Sequence, residues 1–308
     1  MNFENNYFED NENEEAADLE TEGNGNNIYK IAREDAEFLL DKFEYFDEGD
    51  VMEISPEVIT EDVPVFVSPG WGVSPEAQIE GLETIAEEGE RKVITANFSR
   101  KELIEGYDDE NIPTAELQKA LAIIDIIDSK GLEFVDGIGH SEGGLNLAIA
   151  ASLFPEKFRN LVFISPAGSI NISYAELVKR FAVDEGIEEF KGMDKEKLFT
   201  FYNYLKSVVK NFLKNPILSN KEISEMTELD IFEMSKEIKG NGIGVSFIAG
   251  ANDKVFPMDE INKNVDEGNV DYYLSTKGNH GAFIFDQRYA QLAENLLDNM
   301  KEKNNKEN

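Results

Sequence analysis

The sequence contains no cysteine, only two histidines and a single tryptophan, Trp71. The lack of cysteine excludes disulfides, a cysteine nucleophile, thiolate zinc sites and cysteine-ligated iron–sulfur clusters. Two histidines are too few for a multi-histidine metal site. Basic residues are also scarce, with 29 Lys and Arg against 63 Asp and Glu, which gives a net charge of −34. This charge disfavours nucleic-acid binding and docking on an anionic membrane.

Long apolar runs are missing too, because no stretch approaches the roughly 18 to 20 consecutive apolar residues that would span a bilayer. Residues 1–20 lack the basic start and apolar centre of a signal peptide, so we expect a cytoplasmic protein without membrane insertion. Residues 1–27 carry nine acids and neither Lys nor Arg, which predicts a disordered acidic tail. A short disordered end is expected at 303–308.

After the tail, short apolar runs alternate with stretches of helical spacing. The predicted strands are 63–68, 92–97, 133–139, 161–165, 244–250 and 271–275. The predicted helices are 28–46, 75–90, 115–129, 142–153 and 286–300. Strands that alternate with helices indicate a mostly parallel sheet with helices on both faces. We expect this α/β core to comprise residues 28–168 and 243–302.

Residues 169–242 interrupt the alternation. They carry 13 acids and 11 bases, a nearly balanced charge in an otherwise strongly acidic chain. They show no strand pattern, and their best helical spacing lies at 195–213. We therefore predict a helical cap inserted between two strands, whose nine aromatic residues either roof an apolar pocket or simply seal the cap to the core.

A sharp turn between a predicted strand and a predicted helix carries the residues Gly139-His140-Ser141-Glu142-Gly143. In a G-x-S-x-G turn of this kind the serine is strained and its hydroxyl is exposed at the carboxyl edge of the sheet. The two glycines permit the close backbone approach that the turn requires. The start of the helix offers N–H groups to a developing oxyanion. We therefore expect Ser141 to be a nucleophile.

A serine nucleophile needs a base, and the chain offers only His140 and His280. His280 lies in a glycine-flanked loop directly after the last predicted strand, which makes it the expected base. His140 is adjacent to Ser141 in a tight turn, so its side chain should diverge from the hydroxyl. We expect His140 to pack beneath the turn instead.

The base in turn needs a carboxylate to orient it. Asp253 lies in the loop after the predicted strand 244–250, at the edge of the sheet where His280 is expected. Asp259 and Glu260 are nearby alternatives. The resulting chain order of Ser141, Asp253 and His280 is the nucleophile–acid–histidine order associated with this kind of turn.

An oxyanion hole needs two N–H donors, and one should be the backbone N–H of Glu142, the residue after the nucleophile. The second should come from the loop after strand 63–68, and we expect the backbone N–H of Trp71. Its indole would then help to wall the acyl pocket. The alternative is that Trp71 is simply a core residue.

Several motifs together resemble the α/β-hydrolase superfamily, in particular its capped esterase, lipase and C–C hydrolase-like branch. They are PGWG (69–72), GHSEGG (139–144), FPEKFRNLVFISPAG (154–168), GANDKVFP (250–257) and GNHG (278–281). The resemblance extends over roughly residues 60–300. The sequence departs from the family at Pro69-Gly70, where the family often has His-Gly.

The resemblance implies a serine hydrolase that cleaves a carboxylic ester or thioester through an acyl-enzyme on Ser141, without a cofactor or a metal. Its partner would be a small-molecule substrate with an apolar acyl part. Three alternatives remain open: an acyltransferase or a C–C bond hydrolase with the same triad, or a weakly catalytic ligand-binding protein. Members of the superfamily with an aspartate nucleophile are disfavoured because Ser141 occupies that position.

Overall fold

The computed structural model describes residues 31, 33–98, 114–185, 206, 209, 212–213 and 215–307. Among these residues, seven strands form one sheet. The strands are β1 (Val51–Ile54), β2 (Val65–Ser68), β3 (Val93–Ala96), β4 (Val135–His140), β5 (Phe158–Ile164), β6 (Gly244–Gly250) and β7 (Tyr272–Thr276). Their order is β1-β3-β2-β4-β5-β6-β7, and all neighbouring pairs are parallel except β1 with β3.

Helices cover both faces of the sheet. The α-helices whose bounds the described residues give include α1 (Arg33–Lys42), α2 (Ile79–Gly89), α3 (Thr114–Ser129), α4 (Glu142–Leu153), α5 (Tyr174–Lys179), α6 (Pro216–Glu225), α7 (Ile231–Gly240), α8 (Met258–Ile261), α9 (Ala282–Phe285) and α10 (Arg288–Glu307). Helices α1, α3, α4 and α7 lie on one face, and α2 and α10 pack together on the other. The expected doubly covered, mostly parallel α/β fold is confirmed.

The sheet divides the core into two apolar layers because successive side chains of a strand point to opposite faces. On β2, Phe66 belongs to the layer under α3 and α4, whereas Val65 and Val67 belong to the layer under α2 and α10. Strands β2, β4 and β6 are buried along their whole length, as expected for central strands of a parallel sheet.

Strand β1 was not predicted from the sequence. It has only four residues, none of them fully buried, and it pairs antiparallel with β3 at the edge of the sheet. Its Glu53 carboxylate contacts Lys92 at 3.0 Å and Lys130 at 2.7 Å. A short, half-exposed strand with a charged residue shows no clear apolar run in the sequence. Its pairing with β3 is what defines it as a strand.

The C-terminal end differs from the expectation of disorder at 303–308, because α10 continues to Glu307. Contacts with the sheet hold the last turns: the Lys303 ammonium lies 3.0 Å from Asp271 Oδ1, and Asn304 Nδ2 donates to Asn160 Oδ1 at 3.4 Å. The predicted tail at 1–27 lies outside the described residues.

The chain between β5 and β6, residues 165–243, is called the β5–β6 segment below. Its described parts contain helices α5, α6 and α7 and one π-helical turn, Arg180–Glu185. Most of the predicted helix at 195–213 lies outside the described residues, and a cap domain stays a prediction. Within the described ranges, no helix is long and apolar enough to cross a membrane.

Candidate active site

Ser141 is the single residue between β4 and α4, and its backbone is strained. Its φ is 53° and its ψ is −123°, a conformation that non-glycine residues rarely adopt. Three hydrogen bonds hold it there. Its N–H donates to Ile164 O at 3.0 Å, and its carbonyl accepts the N–H groups of Gly144 at 3.1 Å and Ala167 at 3.0 Å.

The glycines around Ser141 are required by close backbone contacts. A Cβ added at Gly139 would lie 2.5 Å from the Cα of Gly144, and one added at Gly143 would lie 2.1 Å from the carbonyl oxygen of Ser68. Neither neighbour can move aside, because both belong to the backbone of the sheet or of α4. The spacing of the motif therefore follows from how tightly the turn is packed.

His280 lies between Ser141 and Asp253 in a line of hydrogen bonds. Its Nδ1 is 3.0 Å from Asp253 Oδ2, and its Nε2 is 3.0 Å from Ser141 Oγ. An ionised carboxylate only accepts hydrogen bonds, so Nδ1 carries the proton and the free Nε2 faces the serine hydroxyl. The structure thus brings together the three side chains that the sequence singled out.

Asp253 is buried and its second oxygen is also used. Its Oδ1 accepts the backbone N–H groups of Val255 and Phe256, both at 2.8 Å. These bonds fix the carboxylate at the end of β6. The alternatives Asp259 and Glu260 lie on α8 instead, where the Glu260 carboxylate lies 3.1 Å from the Arg180 guanidinium.

His140 lies behind His280 and is buried. Its Nε2 is 2.8 Å from the carbonyl oxygen of His280, so Nε2 carries a proton and supports the backbone of that loop. Burial, reinforced by the neighbouring His280, lowers the pKa of His140 to about 3. His140 is therefore neutral near pH 7, and its position matches the packing role expected for it.

The loop after β2 lies beside Ser141. A Cβ at Gly70 would be 3.3 Å from the Cβ of Ser141, which puts the PGWG segment against the turn. Trp71 follows Gly70, and Glu142 begins α4, where the first N–H groups have no partner within the helix. Both expected oxyanion donors thus belong to segments that border the serine.

Solved structures with the same fold include a carboxylesterase from the thaumarchaeon Nitrososphaera gargenis. It is 13% identical over 82% of this chain and 95% of its own, with a TM-score of 0.59. A bacterial membrane phospholipase A is 14% identical over 82% of this chain and 83% of its own, with a TM-score of 0.58. A meta-cleavage product hydrolase from Pseudomonas fluorescens is 16% identical over 81% and 93%, with a TM-score of 0.54. The chain has the α/β-hydrolase fold.

No family model matches the sequence, and no curated protein matches it either. At these identities the α/β-hydrolase fold is what the neighbours establish, and chemistry depends on the site itself. In the α/β-hydrolase fold of this chain, β2 and β4 lie side by side while the chain leaves β2 towards β3. This reversal of strand order is where ligands bind in open parallel sheets.

A buried cluster of charged side chains borders this site and was not predicted. The Lys119 ammonium lies 2.5 Å from Glu142 Oε1, 3.0 Å from Glu222 Oε1 and 3.5 Å from Glu116 Oε1. Glu225 accepts the N–H of Ala115 and of Glu116, both at 3.0 Å. We call Lys119 and the four glutamates the acid-rich cluster.

Burial and mutual repulsion shift the pKa values of the acid-rich cluster. Burial raises the pKa of Glu116 well above its usual range, and burial also raises the pKa of Glu142. Burial raises the pKa of Glu225 to about 7. The spacing of Glu116 and Lys119 on α3 was the only sequence signal, because their partners come from α4 and α6.

Aromatic rings cover the site. The Phe181 ring lies 6.1 Å from the Trp71 ring and 6.4 Å from the His280 ring, both edge-on. Phe212 lies 6.5 Å from Trp71, and Phe256 lies 5.3 Å from His280. Ser141 is only 8% exposed. In the part of the chain that the structure describes, no group of three or more His, Asp or Glu side chains could hold a metal ion.

Proposed function

We propose that the protein is a serine hydrolase that cleaves a carboxylic ester or thioester through an acyl-enzyme on Ser141. The observation that carries the proposal is the hydrogen-bonded line Ser141–His280–Asp253, with both contacts of His280 at 3.0 Å. A serine hydroxyl becomes a useful nucleophile only when a base removes its proton. The strained turn at Ser141 directs that hydroxyl towards the base.

The acylation step begins when Ser141 Oγ forms a bond to the substrate carbonyl carbon while His280 Nε2 takes the hydroxyl proton. The carbonyl electron pair moves to its oxygen, and the backbone N–H groups of Trp71 and Glu142 are the proposed donors to that oxyanion. Collapse of the intermediate breaks the bond to the alcohol or thiol, which leaves with the proton from His280.

Deacylation repeats these steps with water. His280 removes a proton from the water as its oxygen attacks the acyl carbon, and the acid leaves as Ser141 recovers its proton. Asp253 stabilises the imidazolium that forms in each step. The neutral His140 ring, 5.1 Å from that of His280, supports this chemistry because it adds no second positive charge beside the imidazolium.

The aromatic rings above the site support a substrate with an apolar acyl part. Phe181, Phe212 and Phe256 surround Trp71 and His280 with surface that favours apolar groups over charged ones. The carboxylesterase and phospholipase among the structural neighbours also act on esters, as their names state. The β5–β6 segment then has the role of a cap over the acyl group.

The test combines an activity-based probe with a substrate panel. A fluorophosphonate should label Ser141, and Ser141→Ala should abolish the labelling, because only an activated serine reacts at a useful rate. p-Nitrophenyl esters and acyl-CoA thioesters of increasing chain length should be hydrolysed by the wild type alone. Labelling that persists in Ser141→Ala would refute the proposal, and transfer to an added alcohol or amine faster than hydrolysis would identify an acyltransferase.

A further inference from the structure

The side chains of both proposed oxyanion donors are joined through one carboxylate of the β5–β6 segment. The Trp71 indole Nε1–H donates to Glu222 Oε2 at 2.8 Å. The other oxygen of Glu222, Oε1, lies 3.0 Å from the Lys119 ammonium, which donates in turn to Glu142 Oε1 at 2.5 Å. Glu222 therefore has one oxygen on the loop after β2 and the other on the link to the helix that begins after Ser141.

The loop that holds Trp71 is irregular. Residues 69–74, all of them described by the structure, belong to no helix or strand. Their turn is closed by a bond from the Val73 N–H to the Gly70 carbonyl at 3.0 Å. Gly72 has a φ of 71°, a conformation that glycine adopts without strain. The bond from the Trp71 indole to Glu222 is therefore one anchor of an irregular loop.

We propose that Glu222 is a positioning residue that holds the loop after β2 through the Trp71 indole, so that the oxyanion hole is complete only while α6 keeps its contact with Trp71. The inference rests on the proposed function, because it assigns Glu222 a task in stabilising the oxyanion. Donors act over about 2.7 to 3.1 Å, and the loss of one typically costs about 10² to 10³ in kcat. Even a shift of about 1 Å in such a group can cost about 10²-fold.

The cost of burying Glu222 supports a role beyond packing. Its side chain is 1% exposed, and Glu116, Glu142 and Glu225 share the same surroundings with Lys119 as the buried cation. Buried ion pairs often contribute less stability than well-packed apolar residues of similar size. A leucine could fill this volume, but it could not accept the indole N–H or hold the ammonium that reaches α4.

The experiment is a double-mutant cycle on Trp71 and Glu222. Glu222→Ala and Trp71→Phe should each lower kcat for a p-nitrophenyl ester by about 10- to 100-fold, with KM changed by less than about threefold. The double variant should lose no more kcat than the worse single variant, because both substitutions break the same contact. Glu222→Gln keeps an oxygen for the indole N–H and should recover kcat to within about threefold of wild type.

Glu225→Gln is the matched control. Glu225 lies on the same helix and in the same cluster, but it accepts the N–H groups at the start of α3 rather than the indole. Its amide should keep those bonds and leave kcat within about twofold. Trp71 is the only tryptophan, so fluorescence excited selectively at tryptophan reports on the surroundings of this one indole. The emission should change in Glu222→Ala and stay at the wild-type value in Glu225→Gln.

Two results would separate the failure of this inference from failure of the proposed function. In the first, the wild type is labelled at Ser141 and hydrolyses esters, but Glu222→Ala and Trp71→Phe each keep kcat within twofold, or the double variant loses the product of the two single losses in kcat. That result overturns the role of Glu222 and leaves the proposed function intact. If the wild type is neither labelled nor active, both are overturned. If Glu222→Ala does not fold, Trp71→Phe provides the test, since it removes the indole N–H and keeps an aromatic ring.

Discussion

Two buried clusters of charged side chains lie at opposite edges of the sheet and differ in their ratio of acid to base. At the amino edge, Asp136 accepts from Arg91 Nη1 at 2.6 Å and from Arg159 Nε at 3.0 Å. Asn160 donates to it at 3.1 Å, and Glu294 pairs with the second arm of Arg91. We call this the arginine cluster.

The acid-rich cluster at the carboxyl edge has four glutamates and a single lysine. In the arginine cluster two guanidiniums share Asp136, and the fork geometry of arginine satisfies both oxygens of that carboxylate. In the acid-rich cluster one ammonium, that of Lys119, contacts Glu116, Glu142 and Glu222. The arginine cluster lies at the edge of the sheet opposite Ser141, whereas the acid-rich cluster contacts Glu142 after the turn and Trp71 in the loop after β2.

This difference suggests that the share of cations distinguishes a structural cluster from one that borders the candidate active site. A buried network whose carboxylates are satisfied by arginines is stabilised by its own hydrogen bonds. A network with more carboxylates than cations is retained only when the surrounding packing holds it in place, as with backbone strain at functional sites. Variants at the carboxyl edge should therefore lose mainly activity, whereas variants at the amino edge should lose mainly stability.

The largest effect is expected at His280. His280→Ala should lower kcat by about 10⁴ to 10⁶, because the serine, base and carboxylate act as a unit. Wild-type activity should rise with pH in the range where histidines titrate, roughly pH 5 to 8, since only the neutral imidazole accepts the serine proton. Steady-state kinetics from pH 5 to 9 measures both effects.

His140→Ala is the control for this experiment. The pKa of His140 is lowered to about 3 by burial, so it does not titrate in that range, and its removal should preserve the shape of the pH profile. The assignment of the two histidines is reversed if the titration survives in His280→Ala and disappears in His140→Ala.

The next effect is a loss of stability at the arginine cluster. Asp136→Ala leaves the buried Arg91 and the half-buried Arg159 without their shared carboxylate, and breaking such a network typically costs about 3 to 5 kcal/mol. Urea denaturation should show this loss in the free energy of unfolding. Under the proposed function, the kcat of the folded variant should stay within about twofold of wild type, because the change lies at the edge opposite Ser141.

An exposed ion pair serves as its control. Arg33 and Glu156 form a salt bridge with side chains 45% and 49% exposed, and Glu156→Gln should cost less than about 1 kcal/mol. If Asp136→Ala lowers kcat and leaves the free energy of unfolding unchanged, the arginine cluster does not have the purely structural role inferred for it.

The smallest effect is a pH dependence of stability. Burial raises the pKa of Glu294 from its ordinary value of 4.5 to about 7, so the folded chain holds a proton that the unfolded chain has lost. The free energy of unfolding should therefore fall as the pH rises from about 4.5 to 7 and level off above it. A single carboxyl accounts for up to about 3 kcal/mol of this fall.

Glu294→Gln should remove part of that slope, and Glu225→Gln should remove a similar part at the other edge, because burial raises the pKa of Glu225 to about 7 as well. Urea denaturation at pH 5, 6, 7 and 8 gives the slopes. Equal slopes in both variants and in the wild type would show that neither carboxyl titrates in this window.

The sequence by itself determined those features that depend on local spacing. Apolar runs and helical periodicity placed β6 at 244–250 and α4 at 142–153, which are the observed bounds. The glycines on either side of Ser141 encode a turn too tight for a Cβ. Positions after strand ends were enough to bring Asp253 and His280 to the same edge, because parallel strands all end there.

Only the tertiary structure decided which distant side chains meet. Trp71 and Glu222 are 151 positions apart, and Arg91 and Glu294 are 203 apart. Nothing in the local spacing of either segment specifies its partner. A buried charge gains its pKa and its role from desolvation and from neighbours that other segments supply. The fold class and the three aligned side chains were thus readable from local patterns, whereas the acid-rich cluster exists only once α3, α4 and α6 pack together.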